Sequence, residues 1–86
     1  MNINDLNDTI KKKISKQLVV DEILIEDKTY LHLKHKNYQK NKFHLKIFIK
    51  SNQLSNMSKI DSTKKIYNIL AHELKNYIHS IQIILK

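Results

Sequence analysis

Asp61–Leu85, DSTKKIYNILAHELKNYIHSIQIIL, is the stretch whose reading decides the fold. Ile66, Ile69, Leu70, Leu74 and Tyr77 recur at steps of three and four, which gives a helix one apolar face. Asp61 or Ser62 supplies the cap, its side chain accepting from the free N–H groups of the first turn. At Tyr77-Ile78 the period falls to two, and Ile81, Ile83 and Leu85 alternate as in a strand over Ser80–Leu85, with Ile84 beside them. His79 falls at the join. An imidazole gripped by rigid elements on both sides, near a domain's rim, is well placed to meet a ligand and badly placed to be hidden.

Upstream, Ile3, Leu6, Ile10, Ile14 and Leu18 mark an amphipathic helix from about Asn4 to Gln17. Asp5 and Asp8 lie in its first turns and Lys11, Lys12, Lys13 and Lys16 in its last, as the helix dipole favours. Val19–Asp27 reads as a strand with Ile23 and Ile25 inward and Glu22 and Glu26 outward. Lys28–Lys42 has no apolar period and reads as an exposed connection carrying His32 and His35. Phe43–Lys50 is the clearest strand. Phe43, Leu45, Ile47 and Ile49 face one way, and His44, Lys46, Phe48 and Lys50 the other. The two strands are expected to pair antiparallel across the connection. Ser51–Lys59 is a turn-rich link anchored by Leu54 and Met57, where Asn52 and Asn56 stand in for the absent glycines in left-handed conformations. The order helix, strand, strand, turn, helix, strand predicts a single α+β domain over residues 1–86, with both helices on one face of a three-stranded mixed sheet.

Eighty-six residues suffice for one core. A domain of this size buries roughly 60–65% of its unfolded surface and keeps about 5 kcal/mol of stability, which leaves little slack for an enclosed catalytic cavity. Function is therefore expected at the surface. Cysteine is absent, which removes disulfides, thiol nucleophiles and cysteine zinc sites. With no glycine there is no phosphate-cradling loop and no nucleophile elbow, and the acids stand singly rather than in a pair for acid–base work. The expectation is a protein that is not an enzyme. The first fifteen residues hold acids and a lysine run in place of a signal-peptide core, and no apolar run reaches the ~18 residues of a membrane span. A soluble, cytoplasmic protein is the expectation.

The formal charge of +8 hints at nucleic acid. However, all sixteen basic residues are lysine, spread along the whole chain in an Ile- and Asn-rich composition. A solvated basic surface is the reading preferred over a dedicated phosphate-binding face. Histidine is the residue type that repeats suggestively. His32 and His35 lie three apart in the connection, where solvated side chains are the ordinary outcome. His72 belongs to the exposed side of its helix. His44 alternates outward on its strand, with a structural role preferred over ligation. For His79, a satisfied half-buried histidine and a ligand stand level on the residues alone.

Several landmarks then add up. EDKTYLHLKH carries Asp27, Thr29, His32 and His35; His44-Leu45-Lys46-Ile47 follows on the next strand. Tyr67, Leu70 and Glu73-Leu74 lie on the helix and Ile78-His79-Ser80-Ile81 opens the last strand. Together these resemble the BolA-like proteins: an acid–x–serine with spaced histidines, a His–aromatic–x–aliphatic strand, a Tyr–x–x–Leu–x–x–Glu–Leu helix and an aliphatic–His–small–aliphatic box. The family's Arg-His-Arg before this helix is Ser62-Thr63-Lys64 here, and the glycine of its Phe-x-Gly turn is Asn56.

The resemblance implies the small BolA-like fold, a variant of the type II KH-like fold. It also implies a monothiol glutaredoxin as partner, with a two-iron two-sulfur cluster shared between the two proteins in iron–sulfur trafficking or iron sensing. His79 would be the ligand common to the family and His35 the loop ligand, with His32 as its nearest substitute. The chemistry agrees. Such clusters are held mainly by thiolates, and imidazole can replace thiolate on one iron, so a cysteine-free, histidine-bearing surface fits half of a shared site. Neutral imidazole ligates, so sharing is expected to weaken as pH falls through ~6.5. Lys64 and Lys65, with Tyr67 beside them, are the expected partner-binding residues, the lysines steering an acidic surface. The alternative is a DNA- or RNA-binding transcription regulator, although the Gly-x-x-Gly clamp of KH domains is missing. A zinc-binding or pH-sensing histidine cluster is a third reading, and the free protein is expected to be a monomer or weak dimer.

Overall fold

The computed structural model describes residues 1–29 and 42–86. His32, His35 and most of the connection that carries them lie outside the described residues.

The first helix, α1 (Ile3–Gln17), starts where Asn2 accepts a hydrogen bond from the Asp5 N–H at 2.8 Å. Leu6, Ile10 and Ile14, on its apolar face, are fully buried against the sheet, and Leu18 closes the stripe. Each such burial contributes about 1.5–3 kcal/mol, so this face is a principal source of stability. The strands are β1 (Glu22–Asp27), β2 (Phe43–Lys50) and β3 (Ile78–Leu85), in the order β1-β2-β3. β1 pairs antiparallel with β2, Ile23 opposite Ile49 and Ile25 opposite Ile47. β3 runs parallel to β2, Ile47 opposite Ile83. Leu45, Ile47 and Ile49 on the central strand are buried under the helices together with Leu54, Ile66, Leu70 and Ile78. The architecture is the α+β order expected, a mixed three-stranded sheet with its helices on one face.

Several local details differ from the sequence reading. β1 begins at Glu22 rather than Val19. Val19 is exposed, and its main chain is tied to the link instead, donating to Gln53 Oε1 and accepting from Ser51 Oγ. The link itself contains a helical turn, α2 (Asn52–Ser55), capped by the buried Ser51. Asn56 has φ −84°, and no described residue takes a positive φ, so the link needs no left-handed asparagine. Leu54 and Met57 anchor it as expected.

The long C-terminal helix starts two residues before Asp61. It is α3 (Lys59–Ile69), and Ser58 is the cap, accepting from the Asp61 N–H at 3.0 Å. Ser62 is one turn inside and buried, its hydroxyl donating to the Lys59 carbonyl. At Leu70 (φ −100°, ψ 18°) the helix breaks and resumes as α4 (Ala71–Asn76). β3 then starts at Ile78, two residues earlier than the alternation of isoleucines suggests.

Glu73, on α4, is 2% exposed and turned toward α1. Both its carboxylate oxygens accept from Lys13 Nζ, at 2.9 and 2.7 Å. This ion pair ties α1 to the last turn before β3, and so to the segment that carries His79.

Candidate functional site: the His79 edge

Ile78 is buried beneath the helices, and Ile81, Ile83 and Leu85 pack against the same core. Between Ile78 and Ile81 lie two residues, where an uninterrupted strand has one. The register with β2 absorbs the extra residue. Phe43 pairs with Ile78 and His44 with Ser80, so two residues of β3 advance against one of β2. This is a β-bulge, a device that re-aims a side chain without disturbing the strand beyond it. As a result His79 and Ser80 are both exposed, and Gln82 resumes the outward alternation.

His44 lies beneath them on β2 and is 5% exposed. Its Nδ1 and Ser80 Oγ are 2.7 Å apart, and its ring centroid is 4.7 Å from that of His79, tilted by 48°. The His44 main chain is fixed from the other side. Its N–H donates to Thr29 Oγ1 at 3.1 Å, and its carbonyl accepts from the Lys28 N–H at 2.7 Å. The Thr29 hydroxyl and N–H both donate to one carboxylate oxygen of Asp27. Asp27 and Thr29, part of the landmark at the end of the first strand, thus brace the strand that supports His79. A shallow hollow beside the bulge is lined by Lys28, His44, Lys46 and Ser80, among others. Next to it the Lys28 ammonium hydrogen-bonds the half-exposed Glu26 carboxylate and, with the charge of Lys46, holds its pKa below the usual value.

The remaining expected residues are exposed but not all together. Tyr67 is 42% exposed, and its hydroxyl donates to the Ile81 carbonyl at 3.4 Å, two residues from His79. Lys64 and Tyr67 line one hollow on α3, with the exposed Ile60. Lys65 is turned away, into a groove against α1 beside Lys13 and Lys16. The two lysines therefore do not form one patch. His72 is exposed on α4, its ring against Tyr77 and Asn76 rather than the His79 edge. Among the described residues no three His, Cys, Asp or Glu side chains gather as a metal site. No described helix is long and apolar enough to cross a membrane.

Fold and edge together define a class: a small α-β-β-α-β domain that exposes an imidazole on a bulged strand. The BolA-like protein model matches residues 14–86, and the chain belongs to that family. No curated protein sequence matches it. Among solved structures it is similar to the BolA domain of SufE1 from Arabidopsis thaliana, with 27% identity and a TM-score of 0.78, covering 100% of this chain and 93% of that one. It is similar also to BolA1 from the same plant, with 25% identity, a TM-score of 0.76 and coverage of 92% and 87%. A Bol-like protein from Babesia bovis, 14% identical with a TM-score of 0.68 over 91% and 79% of the two chains, shares the fold.

Proposed function

We propose that this protein is a non-enzymatic partner of a monothiol glutaredoxin, acting as one domain over residues 1–86. In this reading it shares a two-iron two-sulfur cluster with the glutaredoxin in iron–sulfur trafficking or iron sensing. The observation that carries the reading is the exposed His79 on its bulge, an imidazole directed away from the core at the rim of a rigid sheet. The donor set fits half of a shared site. The described residues bring one exposed imidazole to this edge, the chain has no thiolate, and the missing sulfur ligands must come from another molecule. When bound, the cluster supplies one-electron chemistry or is itself the cargo.

This chain's own residues do the rest. His79 donates a ring nitrogen. His35, or His32 in its place, completes the coordination. Tyr67, whose hydroxyl reaches the Ile81 carbonyl, and Lys64 in the same α3 hollow meet the partner, with Lys65 adding positive charge on the α1 side. The test mixes the protein with cluster-loaded monothiol glutaredoxin and follows visible absorption and circular dichroism together with complex size. A new visible spectrum in a heterodimer is expected, lost in His79→Ala. An unchanged spectrum in that variant refutes the ligand assignment.

A further inference from the structure

We infer that His44 is a positioning residue for His79, acting through Ser80 and the bulge. The inference rests on the reading of His79 as a ligand. Four observations converge on it. The bulge inserts an extra residue into β3 and so interrupts the ladder at the point where His79 must be held. The side-chain tie across that interruption is the 2.7 Å hydrogen bond between Ser80 Oγ and His44 Nδ1. The His44 ring lies against that of His79 at 4.7 Å, which limits the rotamers an exposed histidine can otherwise sample. His44 is itself immobilised, by the Thr29 hydroxyl at its N–H and the Lys28 N–H at its carbonyl, with Thr29 fixed in turn by Asp27. A continuous chain of contacts therefore crosses the sheet from Asp27 to Ser80 and ends on the ring of His79.

The competing role, His44 as a second ligand, does not suit the geometry. One ring nitrogen is engaged by Ser80, and the other has no exposed surface. A buried histidine beside an exposed one is the arrangement of a support and the group it supports. Groups that orient a metal ligand typically change metal affinity by 10–100-fold when removed. His44 acts by packing and through Ser80 rather than by a hydrogen bond to the ligand's ring. The low end, about 10-fold, is therefore the expected effect.

The test uses three variants and two readouts. Ser80→Ala removes the tie at an exposed position. His44→Phe keeps a ring against His79 but loses Nδ1. His44→Asn places an amide near the position of Nδ1 and can restore the tie. In the free protein, side-chain three-bond couplings of His79 report its χ1 populations, and backbone amide spectra report the fold. With cluster-loaded glutaredoxin, the affinity and the electron paramagnetic resonance g-values of the reduced cluster report coordination. The expected result is averaged His79 couplings in Ser80→Ala and His44→Phe with backbone spectra otherwise preserved. A roughly 10-fold weaker complex with shifted g-values accompanies them, partly restored in His44→Asn. Wild-type couplings and wild-type affinity in Ser80→Ala and His44→Phe overturn the inference. If His44→Phe does not fold, Ser80→Ala decides alone. Should His79→Ala leave the cluster spectrum unchanged, the ligand reading fails by itself, and the couplings in the free protein still judge whether His44 fixes the His79 ring.

Discussion

Replacing Lys13 by methionine tests the tie between α1 and α4. The Glu73 carboxylate is 2% exposed, while the Lys13 side chain that binds it is 39% exposed. At their 2.7 Å separation two unit charges attract by about 6 kcal/mol for an effective dielectric near 20, and by about 1.5 kcal/mol in bulk water. Against this stands a desolvation cost of several kcal/mol for the carboxylate, so the net worth of the pair is small. Breaking it is different. Lys13→Met keeps the aliphatic stem but leaves a buried carboxylate without its cation. In closed pairs that loss costs about 3–5 kcal/mol. The half-open lysine gives water a route in and places the expected cost near the lower bound, about 3 kcal/mol.

At roughly 4–8 °C per kcal/mol for a domain of this size, Tm should fall by about 12–24 °C. Urea and thermal unfolding followed by far-ultraviolet circular dichroism measure both quantities. Lys13→Met/Glu73→Met, which removes both charges, should recover most of the loss. A single-variant cost below about 0.5 kcal/mol, the level of an exposed pair, would refute the account of Glu73 as a buried charge.

Three further outcomes are expected. Ser58→Ala should cost about 1 kcal/mol in urea unfolding, as a true N-cap does, whereas Asp61→Asn, one turn inside the helix, should cost less than half of that. The Glu26 carboxylate, held below its ordinary 4.5 by the Lys28 hydrogen bond and the charges of Lys28 and Lys46, gives stability that is present above pH 4.5 and lost as pH falls through the lowered value. Glu26→Gln should flatten the pH dependence of the urea midpoint on that acid side, and because the ion pair is open to solvent the difference should shrink strongly in 1 M salt, where the Debye length is about 3 Å. Duplex DNA should bind no more tightly than the roughly 10⁻⁴–10⁻⁶ M typical of non-specific contacts at physiological salt; nanomolar binding abolished by Lys64→Ala and Lys65→Ala would favour the nucleic-acid reading.

What could be read from the sequence follows from how strongly each segment repeats. β2 is legible to the residue because Phe43, Leu45, Ile47 and Ile49 keep strict alternation on the one strand with a neighbour on each side. α1 is legible because Leu6, Ile10 and Ile14 mark a single stripe. The charge of Glu73 argues for the surface and masks its place in the core. Yet it stands three residues after Leu70, on the stripe that Leu74 and Tyr77 continue, and Lys13 stands three after Ile10 on the facing helix. Two opposite charges on facing apolar stripes are a readable signal of a buried pair. Asp61 is a good cap in isolation, although Ser58 with an acid three residues later is the better signature. The step of three from Ile78 to Ile81 is the sign of the bulge, and a strand read from Ser80 hides it. The break at Leu70 has no Gly, Pro or capping side chain to account for it. The support beneath His79 depends on cross-strand register, which the alternation pattern alone does not specify.

The two-for-one step at His79-Ser80 makes β3 divisible at that point. Excising one residue beyond the bulge turns every residue that follows it to the opposite face of the sheet. Excising Ser80 instead restores a plain alternation, Ile78 inward, His79 outward, Ile81 inward, with every later partner on β2 unchanged. Chain length here is decoupled from the integrity of the interior, and what varies with it is the compass bearing of one imidazole. A fold built this way can lose or gain a residue beside its working group and still close around the same core.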